Sequence, residues 1–312
     1  MIPSVHTKLQ KRAEGIALAR SYFANLNVLE VDCLALSAKA SIDVNIDLFS
    51  TPSPIHGQRF LFSSPEYAMK RLLCQGSGDI FYLGHVWRHE EAGERHSPEF
   101  LLAEWYRVGI PFPQMMEETV EFAELFIGKR RRHFFSYREA FLEYAQIDPF
   151  AAPEAELREA CAGFEGYPIH ESSRDDLLNL LLAMKVEPCF EKEAITVLFH
   201  YPASQAALAR QTTENGHRVA ERFEIYCGGL ELANGYHELT DAKEQRSRFV
   251  NDNAQRVAIG KEPYPIDENF LASLETGLPD CCGVAVGVDR LLMLREGTTR
   301  IADVMPISWE MA

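Results

Sequence analysis

The chain has 312 residues, a formal net charge of −15, 46% apolar residues and 25% charged residues. This is the balance of a globular protein with material for a sizeable core, and it counts against a chain whose main task is to grip nucleic acid non-specifically, because phosphate binding needs basic surface. No apolar run approaches the roughly 18 residues of a membrane helix, and the N-terminal stretch lacks an apolar signal core, so a cytoplasmic protein with no membrane partner is expected. The seven cysteines are odd in number and irregularly spaced, with no CxxC, which reads as reduced thiols and not as a disulfide framework or a zinc site.

In chain order, residues 4–26 carry apolar positions at helical spacing and predict an amphipathic helix. Val28 to Val31 reads as a short strand, and residues 38–62 as loops and short strands. Ser64 is the predicted N-cap of a helix that opens at Pro65. Residues 79–88 and 100–107 read as the two arms of a hairpin with a long polar tip, and Met115 to Ile127 as a helix. The basic run Lys129-Arg130-Arg131-Arg132-His133 reads as a solvated helix end, with a docking site for an acidic partner as the alternative. Residues 134–195 are expected to be mainly helical, with candidates at Tyr137–Ala145, Glu154–Ala162 and Arg174–Lys185. Strands follow at 195–201 and 220–235, then a helix near 241–258, a turn-rich stretch, a strand at 283–288 and a helix from about Asp289 to Arg295. Hairpin-like strands with helices gathered between them predict an α+β fold with an antiparallel sheet, in one domain spanning 1–312.

Four tracts could carry chemistry. The first is the hairpin that reads Trp87-Arg88-His89-Glu90-Glu91, passes His96, and returns through Phe100, Leu102, Glu104 and Tyr106. Strand alternation puts Arg88 and Glu90 on one face, and Phe100, Glu104 and Tyr106 on one face of the returning arm. A guanidinium, carboxylates, a phenol and a ring together suit a ligand with a phosphate, an amine and a flat base; the plainer alternative is a wet hairpin with surface ion pairs.

The second tract is Glu224 to Glu238, where Gly228-Gly229 fits a two-residue turn. That turn pairs Cys227 with Leu230 and Tyr226 with Glu231, and sets Glu224 diagonal to Glu231. Two carboxylates about 7–8 Å apart can serve Mg²⁺, which takes one or two carboxylates and keeps waters; two metal-free surface acids is the alternative. The third is Gly283 to Arg290, with valines on one face and small residues on the other, where a flat ligand could lie against bare backbone ahead of a helix N-terminus. The fourth is Ser63-Ser64-Pro65-Glu66, either a helix cap or a carboxylate facing a substrate amine. No Walker-type lysine loop, GxGxxG, nucleophile elbow or HExxH occurs.

These tracts resemble the signature motifs of class II aminoacyl-tRNA synthetases. Trp87 to Glu91 through Phe100 and Glu104 is similar to motif 2, and Gly283 to Arg290 to motif 3. Glu30 to Leu36 departs from motif 1, with Cys33-Leu34 where the family has a proline. Over nearly the whole chain the likeness is to the lysine-specific catalytic domain, and more closely to the free-standing elongation factor P–(R)-β-lysine ligase family. It includes Ser63 to Tyr67, Met69 to Leu73, His200 to Leu208 and Glu231 to Asp241. Ser64 stands where the synthetases resemble one another in having alanine, and Ala285 where they have glycine. Since the likeness to the catalytic domain starts almost at the first residue, no anticodon-reading module is expected.

The resemblance implies an ATP-dependent ligase that forms an acyl-adenylate of (R)-β-lysine or lysine and passes it to a lysine of elongation factor P, with Mg²⁺, as a homodimer. It assigns Arg88 to the α-phosphate, Glu90 and Phe100 to the adenine, and His96 and Arg290 to the outer phosphates, with Arg88 and Arg290 catalytic. Glu224 and Glu231 would hold the metal, Glu231 thereby meeting ATP as well. Ser64, Glu66, Glu104, Tyr106, Asn234, Glu238 and Ala285 would line the amino-acid pocket. Alternatives are a truncated lysyl-tRNA synthetase that charges tRNA, disfavoured by the acidic charge, and a non-catalytic regulatory protein.

Overall fold

The computed structural model describes residues 5–89 and 91–312. They fall into two compact units, one made of residues up to 128 together with 238–312, the other of 129–237.

The first unit opens with helix α1 (Val5–Asn25), whose buried residues Arg12, Gly15, Ala19 and Phe23 lie on one face at helical spacing. Strand β1 (Leu29–Glu30) follows. Strands β2 (Leu36–Ser37), β3 (Ser50–Ser53) and β4 (Gly57–Leu61) form a small sheet in the order β2-β4-β3, within the stretch expected to hold loops and short strands. Helix α2 spans Glu66–Cys74. The N-cap is Pro65, one residue later than expected, because the helix opens at Glu66; Ser64 Oγ still accepts from the Glu66 N–H at 3.0 Å. Strands β5 (Ile80–Trp87) and β6 (Glu99–Val108) form the predicted antiparallel hairpin, and helix α3 (Phe112–Ile127) ends at Gly128, which has φ of +75°.

The second unit starts with a correction. Arg131–Ser136 is strand β7, not a helix end. It lies parallel to strand β8 (Ala194–Pro202). The basic run meets acids: Arg130, just before the strand, pairs with Glu193, and both Arg131 and His133 pair with Glu191 at 3.1 Å. Helix α4 (Tyr137–Ala140) carries a capping box of Ser136 and Glu139 and continues as a π-turn over Phe141–Ala145. Helices α5 (Glu154–Cys161) and α6 (Arg174–Leu181) match the expected candidates. Strands β9 (Gln211–Glu214), β10 (His217–Cys227) and β11 (Leu230–His237) complete the sheet in the order β11-β10-β8-β7, with β9 alongside β10. The helices close one core with it, built from Tyr137, Phe141, Leu157, Leu177, Leu181, Leu198 and Tyr226.

The chain then completes the first unit with α7 (Ala242–Ala258), α8 (Glu268–Gly277), β12 (Cys281–Gly287) and α9 (Val288–Glu296). Helix α8 lies in the stretch read as turn-rich; Pro263, Pro265 and Gly277 punctuate it closely and mask a ten-residue helix capped by Asp267, which accepts from the Phe270 N–H at 3.0 Å. The sheet of this unit runs β1-β5-β6-β12, antiparallel except for β1 beside β5. One face of β6 presents Trp105, which packs with Phe23 and Phe122 of α1 and α3. Each such ring contributes about 1.5–3 kcal/mol by leaving water. The indole N–H donates to Glu118 at 2.9 Å, so the buried tryptophan leaves no polar atom unmet. The other face joins Leu102 and Tyr106 to a core with Met69, Leu73, Phe249, Phe270 and Leu274. Among the described residues no helix is long and apolar enough to cross a membrane.

Arg256 of α7 pins the loop that leads to the polar hairpin. Its guanidinium, 1% exposed, donates to the carbonyls of Asp43, Ile46 and Glu262 and to the Asp47 carboxylate at 2.7 Å, and lies 4.1 Å from the Tyr264 ring centroid. The Asp47 carbonyl in turn accepts from the His89 N–H at 2.7 Å, next to Arg88. Removing the guanidinium strips this loop of its buried donors. Arg256→Ala is expected to lower unfolding stability by about 3 kcal/mol, read as a shifted midpoint in urea denaturation, whereas a change under about 0.5 kcal/mol would show that the clamp is dispensable.

Candidate active site

Within the first unit the fold gathers Ser64, Glu66, Glu104, Tyr106, Glu238 and Ala285, which are distant in sequence. Glu104 lies at the middle of β6, 2% exposed. Tyr82 of β5 sits opposite it on one side and Ala285 of β12 on the other. Ser64 Oγ donates to one carboxyl oxygen of Glu104 at 2.6 Å, and Tyr106 OH to the other at 2.9 Å. Burial, and then the Glu66 carboxylate, push Glu104 up to about 8. Gly283 is opposite Tyr106, and a side chain there would run into the Tyr106 ring and the Glu238 carboxylate, so the position has room only for hydrogen.

The cluster also contains a residue that the motif reading quoted without giving it a role. Lys70, one turn after Glu66 on α2, is 1% exposed and pairs with Glu66 at 2.6 Å and with Glu238 at 2.5 Å. Burial alone would lower its pKa, but Glu238 and Glu66 outweigh that and hold it above the usual lysine value. The available signal was the i, i+4 spacing of Glu66 and Lys70, which is ordinarily a surface pair.

The motif-like residues that were assigned to ATP are also in this unit. Arg88 follows β5, and its guanidinium lies 5.2 Å from the Phe100 ring centroid, a cation–π contact. Its Nε is buried with no hydrogen-bond partner among the described residues. Glu90 lies outside the described residues. Arg290, on the first turn of α9, donates to His96 Nε2 at 2.6 Å. Burial and the neighbouring Arg290 lower the His96 pKa, so the imidazole is neutral and accepts. A pocket of about 220 Å³ opens beside His96, lined also by Ser97, Arg300, Met305 and Trp309. The Ser97 hydroxyl is buried there without a hydrogen-bond partner. Asp289, next to Arg290, is structural: it accepts from the Leu101 N–H at 2.7 Å and pairs with Arg12, joining β6, α1 and α9.

Glu224, Glu231 and Asn234 belong to the second unit. The Gly228-Gly229 turn sets the expected pairs, Cys227 with Leu230 and Tyr226 with Glu231. A bulge between Ile225 and Tyr226 then places Asn234 directly opposite Glu224. Glu224 accepts from Tyr201 OH at 2.6 Å, from Arg222 at 2.5 Å and from Tyr226 OH. Asn234 Oδ1 is buried and has no hydrogen-bond partner among the described residues. A third acid that the sequence reading missed, Glu187, is pushed up to about 7 by burial and then by Glu224 and Glu231. Its place in the short turn after α6 gives no sequence signal.

Glu104 supplies a sign test for these electrostatics. Its folded pKa of about 8 lies above the ordinary glutamate value of 4.5, so the folded state holds this proton more tightly than the unfolded chain. The associated stability is complete below about pH 4.5 and is lost as pH rises to 8. Glu104→Gln, which imitates the protonated form, is expected to melt at least about 2 °C above the parent at pH 8.5 and close to it at pH 4.5. A difference independent of pH would contradict the assignment.

The chain matches the family model "tRNA synthetases class II (D, K and N)" over residues 1–308. It is 47% identical over 304 residues to the elongation factor P–(R)-β-lysine ligase of Proteus mirabilis (strain HI4320), covering 95% of this chain and 93% of that protein. It is 46% identical over 311 residues to the protein of the same name from Salmonella typhi, covering 97% and 95%. The buried carboxyl cluster beside β6, the Arg88 hairpin and the Arg290 helix start thus stand on a catalytic domain of known type: the chain belongs to the class II tRNA synthetase (D, K and N) family, alongside relatives that carry the name elongation factor P–(R)-β-lysine ligase.

Proposed function

We propose that this protein is an ATP-dependent ligase that activates (R)-β-lysine, or lysine, as an acyl-adenylate and transfers it to a lysine ε-amine of elongation factor P. The observation that carries this reading is the cluster of Glu66, Glu104 and Glu238 on a class II synthetase domain, with Glu104 and Glu238 buried and Glu66 partly so. A pocket of acids needs a ligand rich in amines, and lysine-type amino acids carry two. The names of the similar proteins supply elongation factor P as acceptor.

In the first step the substrate carboxylate attacks the α-phosphorus of ATP and pyrophosphate leaves. Arg88 would stabilise the charge that develops there; its unpaired Nε and its rest position over Phe100 leave it able to turn to a phosphate. Phe100, with Glu90, would take the adenine. His96 and Arg290 would take the outer phosphates, with the buried Ser97 hydroxyl nearby as a further donor. In the second step the acceptor amine attacks the adenylate carbonyl, AMP leaves, and an amide forms with loss of the amine proton. Positioning and charge stabilisation account for the rate, since neither step needs a covalent enzyme intermediate.

Glu224 and Glu231, with the unpaired Asn234 oxygen opposite Glu224, form an oxygen-only donor set that fits Mg²⁺. When bound, the ion supplies charge neutralisation for phosphate oxygens. Arg222, Tyr201 and Tyr226 orient the Glu224 carboxylate for that role. We further read the protein as cytoplasmic and as a homodimer, the dimer being supported by the exposed Leu29, Leu34 and Leu36 in and around β1 and β2.

The test is an acceptor assay with ATP, Mg²⁺ and labelled α-lysine or (R)-β-lysine, offering elongation factor P and tRNA together. Label is expected on elongation factor P; label on tRNA instead would make the protein a tRNA-charging synthetase. Arg88→Ala is expected to reduce lysine-dependent pyrophosphate exchange by at least about 10²-fold, the scale of losing one preorganised transition-state donor. Near-normal exchange would sink the Arg88 assignment.

A further inference from the structure

The acid cluster in the first unit contains two kinds of carboxyl. Glu66 and Glu238 share the Lys70 ammonium, at 2.6 and 2.5 Å. Glu104 receives its hydrogen bonds from neutral hydroxyls, those of Ser64 and Tyr106. Tyr82 from β5 and Ala285 from β12 flank it in the sheet, and the nearby Cys33 thiol is pushed up by burial first and then by the carboxyls of Glu104 and Asp32. Glu66 of α2 and Glu238 are the acids that act on it, and Lys70 of α2 pairs with both of them. Of these groups Lys70 is the one cation, and its ion pairs go to the other two acids. An ionised Glu104 would therefore be buried without a cationic partner, a costly state.

Resting on the reading of this cluster as the amine-binding end of a lysine-activating pocket, we propose that Glu66, Lys70 and Glu238 form a permanent charge-compensated bridge, and that Glu104 is the carboxyl that exchanges its own proton for the substrate's ammonium group. In the free protein Glu66 and Glu238 are negative, Lys70 is positive and Glu104 is neutral, so the cluster carries one net negative charge. When an ammonium group arrives, the Glu104 O–H bond breaks, the proton leaves to solvent, and the new carboxylate pairs with the incoming cation. The cluster again carries one net negative charge, so binding adds no uncompensated charge to the interior. A side chain that ends in a methyl group cannot drive this exchange. Lys70 is thus a positioning residue that keeps Glu66 and Glu238 ionised and apart from the exchange, while Glu104 reads the amine. The raised pKa of Glu104, about 8, agrees with this division.

Isothermal titration calorimetry of the full chain with α-lysine and with (R)-β-lysine, without ATP, tests it. Repeating the titration at pH 7 in buffers of different ionisation enthalpy measures the protons released. The expected result is on the order of one proton released per ligand, with affinity rising about tenfold from pH 6 to pH 7. Glu104→Gln should fold, because its amide imitates the neutral acid, and should bind more weakly with no buffer dependence. Lys70→Arg preserves the bridge and should retain the proton release. Binding of either ligand with no buffer dependence in the parent would overturn the exchange while leaving the lysine-activating function intact, as would an unchanged release in Glu104→Gln. Binding of neither ligand would overturn the exchange together with the pocket reading on which it rests.

Discussion

Putting carboxylates out of reach of water is the constraint around which the site is organised, because an isolated buried charge costs several kcal/mol even after relaxation. The first unit meets it in two ways. Lys70 lies between Glu66 and Glu238, and Glu104 receives two hydroxyls. The second unit meets it differently at Glu224, with one guanidinium and two phenols. Apart from Ser64, which stands just ahead of α2, these compensating groups come from regular elements, Lys70 from α2, Tyr106 from β6, Tyr201 from β8 and Arg222 and Tyr226 from β10, so most of the geometry is held by backbone hydrogen bonds.

Strand β6 shows how the scaffold makes this possible. Its alternation sends Trp105 into an aromatic core with Phe23 and Phe122, while Glu104 and Tyr106 go to the opposite face. Asp289 ties the same strand to α1 through Arg12 and stands next to Arg290, so the helix start that presents Arg290 is anchored to the strand that presents Glu104. The hairpin end that presents Arg88 has its own support, through Asp47 and the buried Arg256.

Ser64 and Ala285 meet at Glu104. Ser64 donates a hydrogen bond to its carboxyl, and Ala285 lies directly opposite it across the sheet. A hydroxyl and a methyl group beside one carboxyl set both its proton affinity and the room around it.

Local pattern determined a great deal here. Alternation and turn chemistry placed the β5–β6 hairpin, the Gly228-Gly229 turn with its register, and the faces of Glu104 and Tyr106, because each depends on neighbours within a few residues. The family resemblance was legible for the same reason, since its motifs are contiguous tracts. Helix α8 and strand β7 were not legible. Prolines crowd the first, and the charges of the second are satisfied by Glu191 and Glu193, some sixty residues away. Nor could spacing show that Lys70, i+4 from Glu66, leaves the surface to reach Glu238. Nor could it show that Asn234 faces Glu224 across a bulge, or that Glu187 joins the acids of the second unit. Charge compensation in a protein interior is a long-range affair: sequence supplies the charged groups, and only the packed fold decides which of them share a dry space and must be paired, protonated or left for a ligand.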